Sequence, residues 1–416
     1  MHVVVSLLCV AAAAAVVSGC SDFRLNSSAA QVVSARTMDF IADLECTVEI
    51  VPKNTLVQEP IVAHCPACPD YSWRTKYGFV ALNTFRLNLA SDGLNEKGLS
   101  AASLYLPGSE FPAPDMDAAP QRPIVSWVVT YILANYATVD EVKVGLENDV
   151  QVVGLNPQVQ GITSPSDSYE DTYPLHFPVH DAAGNSIVIE FLNGTMHIYD
   201  NPAGVLTNEP PFLEQLKLVA AHDKADGTRD TTFSGGYTPV ERFQRLTFLN
   251  RHAAAEFIPN LSYTKATPDQ AAISQAFHMI NTVAIPTAYV KAGEATEYSL
   301  VRDHKRRRLY FWSNENQVMK RIDLDKIDFN DASNRRAIDV NYGDWSVDVT
   351  HVLLESKTSS KDMPPRSIVQ NFMRNPALLL QLGTGSDSRG ISRSVVLSRF
   401  RRRHGRHAPP ESSSLL

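Results

Sequence analysis

Apolar positions along this chain recur with three different periods. Residues 3–17 are apolar almost without interruption, a run too short and too near the terminus to read as a membrane-crossing helix. Residues 31–36, 79–89 and 99–106 are rich in β-branched, aromatic and small apolar side chains and read as strands. Residues 92–98, Asp-Gly-Leu-Asn-Glu-Lys-Gly, read as the turn of an antiparallel hairpin joining the last two, with Gly98 suited to left-handed backbone. Residues 123–136 carry helical spacing, and Thr138 followed by Glu141 is a capping-box pattern that starts a second helix; residues 144–153 fit no period clearly. Residues 175–180 lead into a turn at 181–184. Residues 186–191 and 195–199 flank Asn193-Gly194, a two-residue hairpin signature, and residues 205–208 are expected to continue that sheet. Residues 241–254 and 268–280 read as amphipathic helices. Residues 296–302 and 309–313 form a further hairpin, with 318–324 as its neighbour. Strands and helices therefore come in blocks, which favours stacked antiparallel sheets with helical layers over a doubly wound parallel sheet. There is no internal repeat.

Bulk properties narrow the picture. A chain of 416 residues can bury a large core, and 44% hydrophobic with 20% charged residues is ordinary for a globular protein. A formal net charge of −7 gives no overall basic character that would suggest nucleic acid as a partner. Residues 20–380 are acidic and 393–407 form a basic tail. The apolar leader ends in the small residues Val17-Ser18-Gly19, which fits a signal peptide over 1–19, although His2 is the sole basic side chain before it. The expected organisation is a leader over 1–19, a catalytic domain over 20–360, and an extension over 361–416 that is basic and disordered toward its end. Export, whether secreted or periplasmic, is the expected localisation. Of five cysteines, Cys9 would leave with the leader; a disulfide involving Cys46, Cys65 or Cys68 suits an exported chain and is preferred over half a zinc site at 64–68. Asn26, Asn193 and Asn260 open glycosylation sequons, relevant only in a eukaryotic host.

Cys20 is the candidate for chemistry. Freed as the N-terminal residue by cleavage after Gly19, it would supply a thiolate nucleophile and, in its own α-amine, the base that takes the thiol proton. Arg36 would favour the anion and Asp39 could hold the ammonium. Standing three residues apart, the two need a bend or turn to converge. The same residues, Val17-Ser18-Gly19-Cys20, fit a bacterial lipobox, in which Cys20 would carry lipid and the chain would be a catalytically silent, lipid-anchored binding protein. A lipidated sulfur cannot attack, so the two readings exclude each other.

Further blocks weigh on the choice. Cys20 with Arg36-Thr37-Met38-Asp39-Phe40, whose Arg and Asp stand 16 and 19 residues downstream of Cys20, resembles the nucleophile segment of the choloylglycine hydrolase and penicillin V acylase family of N-terminal nucleophile hydrolases. Residues 92–99 resemble that family's turn before its second catalytic strand, 201–210 its asparagine segment, 236–243 its arginine segment, and 296–299 with 309–316 its late hairpin. The blocks come in family order between Cys20 and Asp328. The resemblance implies an α+β fold, an αββα four-layer sandwich of two antiparallel sheets, and cysteine-dependent hydrolysis of a linear non-peptide amide through an acyl-thioester, with no cofactor or metal. It implies Cys20 as nucleophile and base, Asp39 as the holder of its amine, and Arg36 beside the sulfur. Asn208 would give a side-chain N–H, and Tyr105 a backbone N–H, to the oxyanion, with Arg242 supporting the site electrostatically. The implied partner is a small-molecule N-acyl amide: a phenoxyacyl penicillin, an N-acyl homoserine lactone, a conjugated bile acid or an N-acyl amine. Whether the chain forms a homo-oligomer stays open. Two departures matter. Glu209 stands where the family has a small or amide residue and would disfavour anionic substrates. Tyr105 is nearer the penicillin acylase branch than the bile-salt branch.

Overall fold

The computed structural model describes residues 19–27, 30–59, 71–87, 90–154, 172–226, 234–253, 266–287 and 294–355. In chain order, β1 (Ser21–Arg24) begins directly after Cys20 and is followed by β2 (Val33–Phe40), β3 (Thr47–Val51), β4 (Leu56–Gln58) and β5 (Ser72–Arg74). Then come β6 (Phe79–Asn83), β7 (Ala90–Asn95), β8 (Ser100–Ala102), β9 (Leu104–Tyr105) and β10 (Ile124–Val125). Two helices, α1 (Val128–Asn135) and α2 (Val139–Asn148), precede β11 (Gln151–Val152), β12 (Leu175–His180), β13 (Ser186–Leu192), β14 (Thr195–Asp200) and β15 (Val205–Leu206). Three helices follow, α3 (Phe212–Asp226), α4 (Pro239–Arg251) and α5 (Pro268–Asn281). The last strands are β16 (Ala295–Asp303), β17 (Arg308–Ser313), β18 (Lys320–Asp323) and β19 (Arg336–Asp339). A short helix, α6 (Thr350–Leu354), belongs to a separate unit.

These strands build two large sheets. The first runs β15-β1-β2-β16-β17-β18, and the second β14-β13-β12-β8-β7-β6-β3-β19 with β9 also paired to β12. All pairings within both are antiparallel. Helices α4 and α5 pack on the first sheet and α1 on the second, which gives the expected αββα layering. Side-chain alternation explains how one strand serves two layers. Along β6, Val80 and Leu82 join the core shared by the two sheets, whereas Phe79 and Ala81 join the core under α1 and α2. Val188 of β13 and its neighbours Ile187 and Ile189 divide in the same way. With both faces covered, these central strands present no solvent-facing side, so their sequences alternate poorly.

Local signals were read correctly at several points. Asn193 and Gly194 both take left-handed backbone, φ 51° and 68°, and join β13 to β14. Two capping boxes that were not foreseen are complete, Thr238 with Glu241 and Thr267 with Gln270, each with proline in the first turn. At α2 the box is half made: the Thr138 hydroxyl accepts from Glu141 N at 3.1 Å, while the Glu141 carboxylate accepts from Ala137 N.

Other expectations need correction. Asp92 and Gly93 are not in a turn but inside β7; the turn begins after Asn95, so β7 pairs with β8 and also with β6 on its other edge. The Asp-Gly pair misleads because Gly93 answers to packing: a Cβ there would meet Leu133 Cδ1 of α1 at 2.5 Å and Val80 O at 2.7 Å. Residues 205–208 do not extend the β13–β14 sheet, since β15 pairs with β1 in the other sheet. Helix α1 starts at Val128, later than expected, and α3 lies where no element was foreseen. Cys46 is a buried free thiol, so it is in no disulfide; Cys65, Cys68 and the basic tail lie outside the described residues.

Candidate active site

The β1–β2 pairing explains the spacing of the first three candidate residues. Ser21 pairs with Thr37 and Asp22 with Arg36, so Cys20, one step earlier, arrives beside Met38 and its neighbours. Its Sγ lies 3.7 Å from Met38 Sδ and 4.0 Å from the Asp39 carbonyl oxygen, and Arg36 Nη2 lies 3.8 Å from Sγ. The bend thought necessary between Arg36 and Asp39 is absent, for β2 runs unbroken through both. Arg36 and Met38 share one face of the strand, with Arg36 Nη2 3.6 Å from Met38 Sδ, while Thr37 and Asp39 share the other, 3.2 Å apart. The long arginine reaches the sulfur from one side and the aspartate's backbone from the strand itself.

Arg36 is held from the second sheet and from β16. It donates to Tyr298 Oη at 2.7 Å and to the Ser103 carbonyl, and lies 3.4 Å from Asp92 Oδ2. Arg302 grips the same Asp92 carboxylate and reaches Asp22 Oδ2 at 3.1 Å, and Asp22 accepts from His180 Nε2 at 2.6 Å. Arg36, Asp22, Asp92, His180 and Arg302 are all buried. Burial alone would lower the Arg36 pKa, but Tyr298, Cys20 and Asp92 outweigh it and raise it. The guanidinium is therefore a fixed cation beside the sulfur. Burial in turn pushes the Cys20 thiol up, against the pull of Arg36.

On the other side of Cys20, its nitrogen donates to Asn208 Oδ1 at 2.7 Å. Asn208, two residues past β15, is fully buried, and its Nδ2 donates to the Tyr105 carbonyl at 2.8 Å. An amide nitrogen carries two hydrogens, so one Nδ2–H is committed to Tyr105. It is thus the Tyr105 carbonyl that meets Asn208. Arg242, in the first turn of α4, donates through Nη1 to Cys20 O and Ser21 Oγ, both at 2.6 Å. Its Nη2 donates to Asn208 Oδ1 at 2.8 Å and its Nε to Tyr237 O at 2.9 Å. Asp39 Oδ2 is 4.0 Å from Arg242, and its carboxylate accepts from the Thr37 and Thr296 hydroxyls. Burial raises Asp39 to about 6 in spite of Arg242 and the two threonines. With the Gly19–Cys20 bond intact, the recorded acceptor for the Cys20 nitrogen is Asn208 rather than Asp39. All six sequence candidates, Cys20, Arg36, Asp39, Tyr105, Asn208 and Arg242, nevertheless fall in one cluster.

Sequence reasoning missed several members of it. Thr296 and Tyr298 were quoted only as part of a hairpin. Glu294 was not singled out: it is buried, its carboxylate accepts the Gly19 N–H, and it is raised to about 8 by burial and then by the charge of Asp39. No local pattern marks it, because its role depends on where β16 begins.

Beside Cys20 opens a cavity of about 110 Å³ lined by Met38, Phe40, Phe85, Tyr105, Phe111, Leu175 and Phe177, among others. Asp39 is the one charged residue lining it, among the described residues. Phe85 holds left-handed backbone, φ 56°, a costly state for a bulky residue, and its ring packs edge-on against Phe40. No group of three or more His, Cys, Asp or Glu among the described residues is placed to hold a metal. A thiol flanked by a fixed cation, with an amide side chain and an apolar cavity at hand, is equipped to attack the carbonyl of an apolar acyl compound.

The sequence pattern of linear amide C-N hydrolases, choloylglycine hydrolase family, matches residues 20–337. The chain belongs to this family and is a linear amide C–N hydrolase. Penicillin V acylase of Pectobacterium atrosepticum is 30% identical over 311 residues, 71% of this chain and 78% of the relative. Bile salt hydrolase/transferase of Clostridium perfringens is 25% identical over 279 residues, 61% of this chain and 78% of the relative. Among solved structures, penicillin V acylase from Agrobacterium tumefaciens superposes with a TM-score of 0.60 at 27% identity, covering 74% of this chain and 87% of that one. The two-sheet, four-layer architecture is accordingly the N-terminal nucleophile hydrolase fold.

Proposed function

We propose that this enzyme is exported, that cleavage after Gly19 frees Cys20, and that Cys20 hydrolyses a neutral or weakly polar N-acyl amide through an acyl-thioester. The α-amine takes the thiol proton, with a reference pKa of roughly 7.7–8.0 for such an amine. The thiolate attacks the amide carbonyl carbon; the second Nδ2–H of Asn208 faces the oxygen that becomes negative. The C–N bond breaks as the Cys20 ammonium passes its proton to the leaving nitrogen. Water then adds to the thioester while the amine removes its proton, and the S–C bond breaks to release the carboxylic acid. Arg36 holds the sulfur's negative charge, and Asp39 with Arg242 fixes the terminus. The aromatic cavity takes the acyl group, and its volume of about 110 Å³ favours phenoxyacyl or short aliphatic chains. The observation that carries the reading is the meeting of the Cys20 sulfur with Arg36 and of the Cys20 nitrogen with Asn208 and, through Asn208, Arg242.

The lipobox reading of residues 17–20 places a diacylglyceryl group on the same sulfur, yet Cys20 is only 3% exposed. Intact-mass spectrometry of the exported protein tests this directly. A mass starting at free Cys20 is expected, and a diacylglyceryl adduct overturns the mechanism. Cys20→Ala should abolish turnover of penicillin V, N-acyl homoserine lactones and glycine-conjugated bile acid alike, whichever of them the enzyme accepts. Activity surviving the substitution also overturns it.

A further inference from the structure

Gly19 occupies a place that the reaction must use again. It fills a notch between the Arg242 guanidinium and the Glu294 carboxylate, both buried. Its N–H donates to Glu294, and a Cβ on it would stand 2.7 Å from Arg242 Nη2 and 3.0 Å from Glu294 Oε1. Loss of Gly19 opens this notch at the Cys20 nitrogen. A substrate's leaving nitrogen receives its proton from that same nitrogen and must come within hydrogen-bond reach, about 2.6–3.2 Å. Asn208 Oδ1 already holds one side of the Cys20 nitrogen, so the leaving group extends toward the side Gly19 held. We infer that the notch vacated by Gly19 is the subsite for the leaving amine, and that Glu294 and Glu209 fit it to neutral or cationic amines bearing hydrogen-bond donors rather than to amines carrying a carboxylate or sulfonate. This inference rests on the reading of Cys20 as nucleophile.

Charge around the notch points the same way. Arg242 is engaged by Tyr237 O, Cys20 O, Ser21 Oγ and Asn208 Oδ1, with the Asp39 carboxylate 4.0 Å away. Glu294 loses its donor when Gly19 departs. Glu209 directly follows Asn208, whose Oδ1 accepts from the Cys20 nitrogen at 2.7 Å, and its Oε2 is buried with no hydrogen-bond partner; its charge adds to the rise of the Glu294 carboxyl. The ammonium that cleavage leaves at Cys20 favours the ionised form of Glu294, and the acceptor oxygens still open on Glu294 and Glu209 are satisfied by N–H or O–H groups on the amine. An anionic amine would set like charges together where little solvent screens them.

Three amides with one shared acyl group test this on the mature enzyme, using whichever acyl group is turned over fastest. Their amines are glycine, ethanolamine and ethylenediamine, giving anionic, neutral and cationic leaving groups. kcat/KM for the neutral and cationic amides should exceed that for the glycine conjugate by at least about tenfold, since like-charge juxtaposition is strongly disfavoured. The double variant Glu294→Gln with Glu209→Gln should bring the three within about threefold, the charge discrimination being gone. Wild-type enzyme that handles the glycine conjugate as well as the others overturns the inference without recourse to any variant, and so does an undiminished ratio in the double variant. Cys20→Ala separates the two levels. Turnover that survives it overturns the nucleophile reading itself, whereas turnover lost with Cys20 but indifferent to leaving-group charge overturns the subsite alone.

Discussion

At the scale of single residues, Asn208 ties three parts of the site together: its Oδ1 accepts from Cys20 N and Arg242 Nη2, and its Nδ2 donates to Tyr105 O. Asn208→Ala should lower kcat by about 10²–10³, the usual effect of removing one oxyanion donor. Stopped-time assays at saturating substrate check this, and a loss confined to KM would show that Asn208 only binds. Arg242→Lys should also be damaging, because an ammonium cannot reproduce a fork that engages four acceptors. A fall in both kcat and melting temperature is expected, measured by turnover and calorimetry. These residues were legible in the sequence because each sits in a short recognisable block, and the pairing of β15 with β1 and the packing of α4 on both turn those blocks into contact. Glu294 was not legible. It reaches Gly19 across 275 residues of chain, and nothing within its own neighbourhood in sequence distinguishes it from a surface glutamate.

At the scale of elements, local rules succeeded where local chemistry decides and failed where packing does. Capping residues and the Asn193-Gly194 turn are satisfied within a few residues. Strand partnership is not, which is why β15 was assigned to the hairpin before it rather than to β1. Glycines show the conflict most clearly. Gly145 lies inside α2, where alanine is ordinarily better by about 1 kcal/mol. A Cβ there, however, would stand 2.1 Å from Tyr136 Oη and 2.3 Å from the ring. Tyr136 is buried at 6% exposure and its ring packs against Tyr131, 5.9 Å between centroids. Overpacking of this kind typically costs about 1–3 kcal/mol, so Gly145→Ala should destabilise the protein despite the gain in helix propensity. Urea unfolding should show a lower midpoint at an unchanged slope; a raised midpoint would mean that Tyr136 yields freely.

At the scale of the whole molecule, folding buries ionisable groups whose titrations oppose one another. Glu294, Glu297 and Asp39 are raised to about 8, 7 and 6, each chiefly by burial. Unfolded, such carboxyls titrate near 4. Between those values the folded chain keeps protons that the unfolded chain has released, so their contribution falls as pH rises and levels off above about 8. His304 acts in the opposite sense. Burial lowers it to about 3, so the unfolded chain gains a proton first and stability is lost as pH drops below about 6.5. Removal of Gly19 alters only the first set, by placing an ammonium beside Asp39 and Glu294. A nearby cation favours the ionised carboxylates and should draw both values down. Protein that retains Gly19 should therefore lose melting temperature more steeply between pH 5 and 8 than protein beginning at Cys20, as read by scanning calorimetry of the two forms. Glu294→Gln should flatten the slope in the Gly19-bearing form and change it little in the other. Equal slopes in the two forms would mean that the new amine does not reach these carboxylates, and the terminus would then have to be held by Asn208 alone.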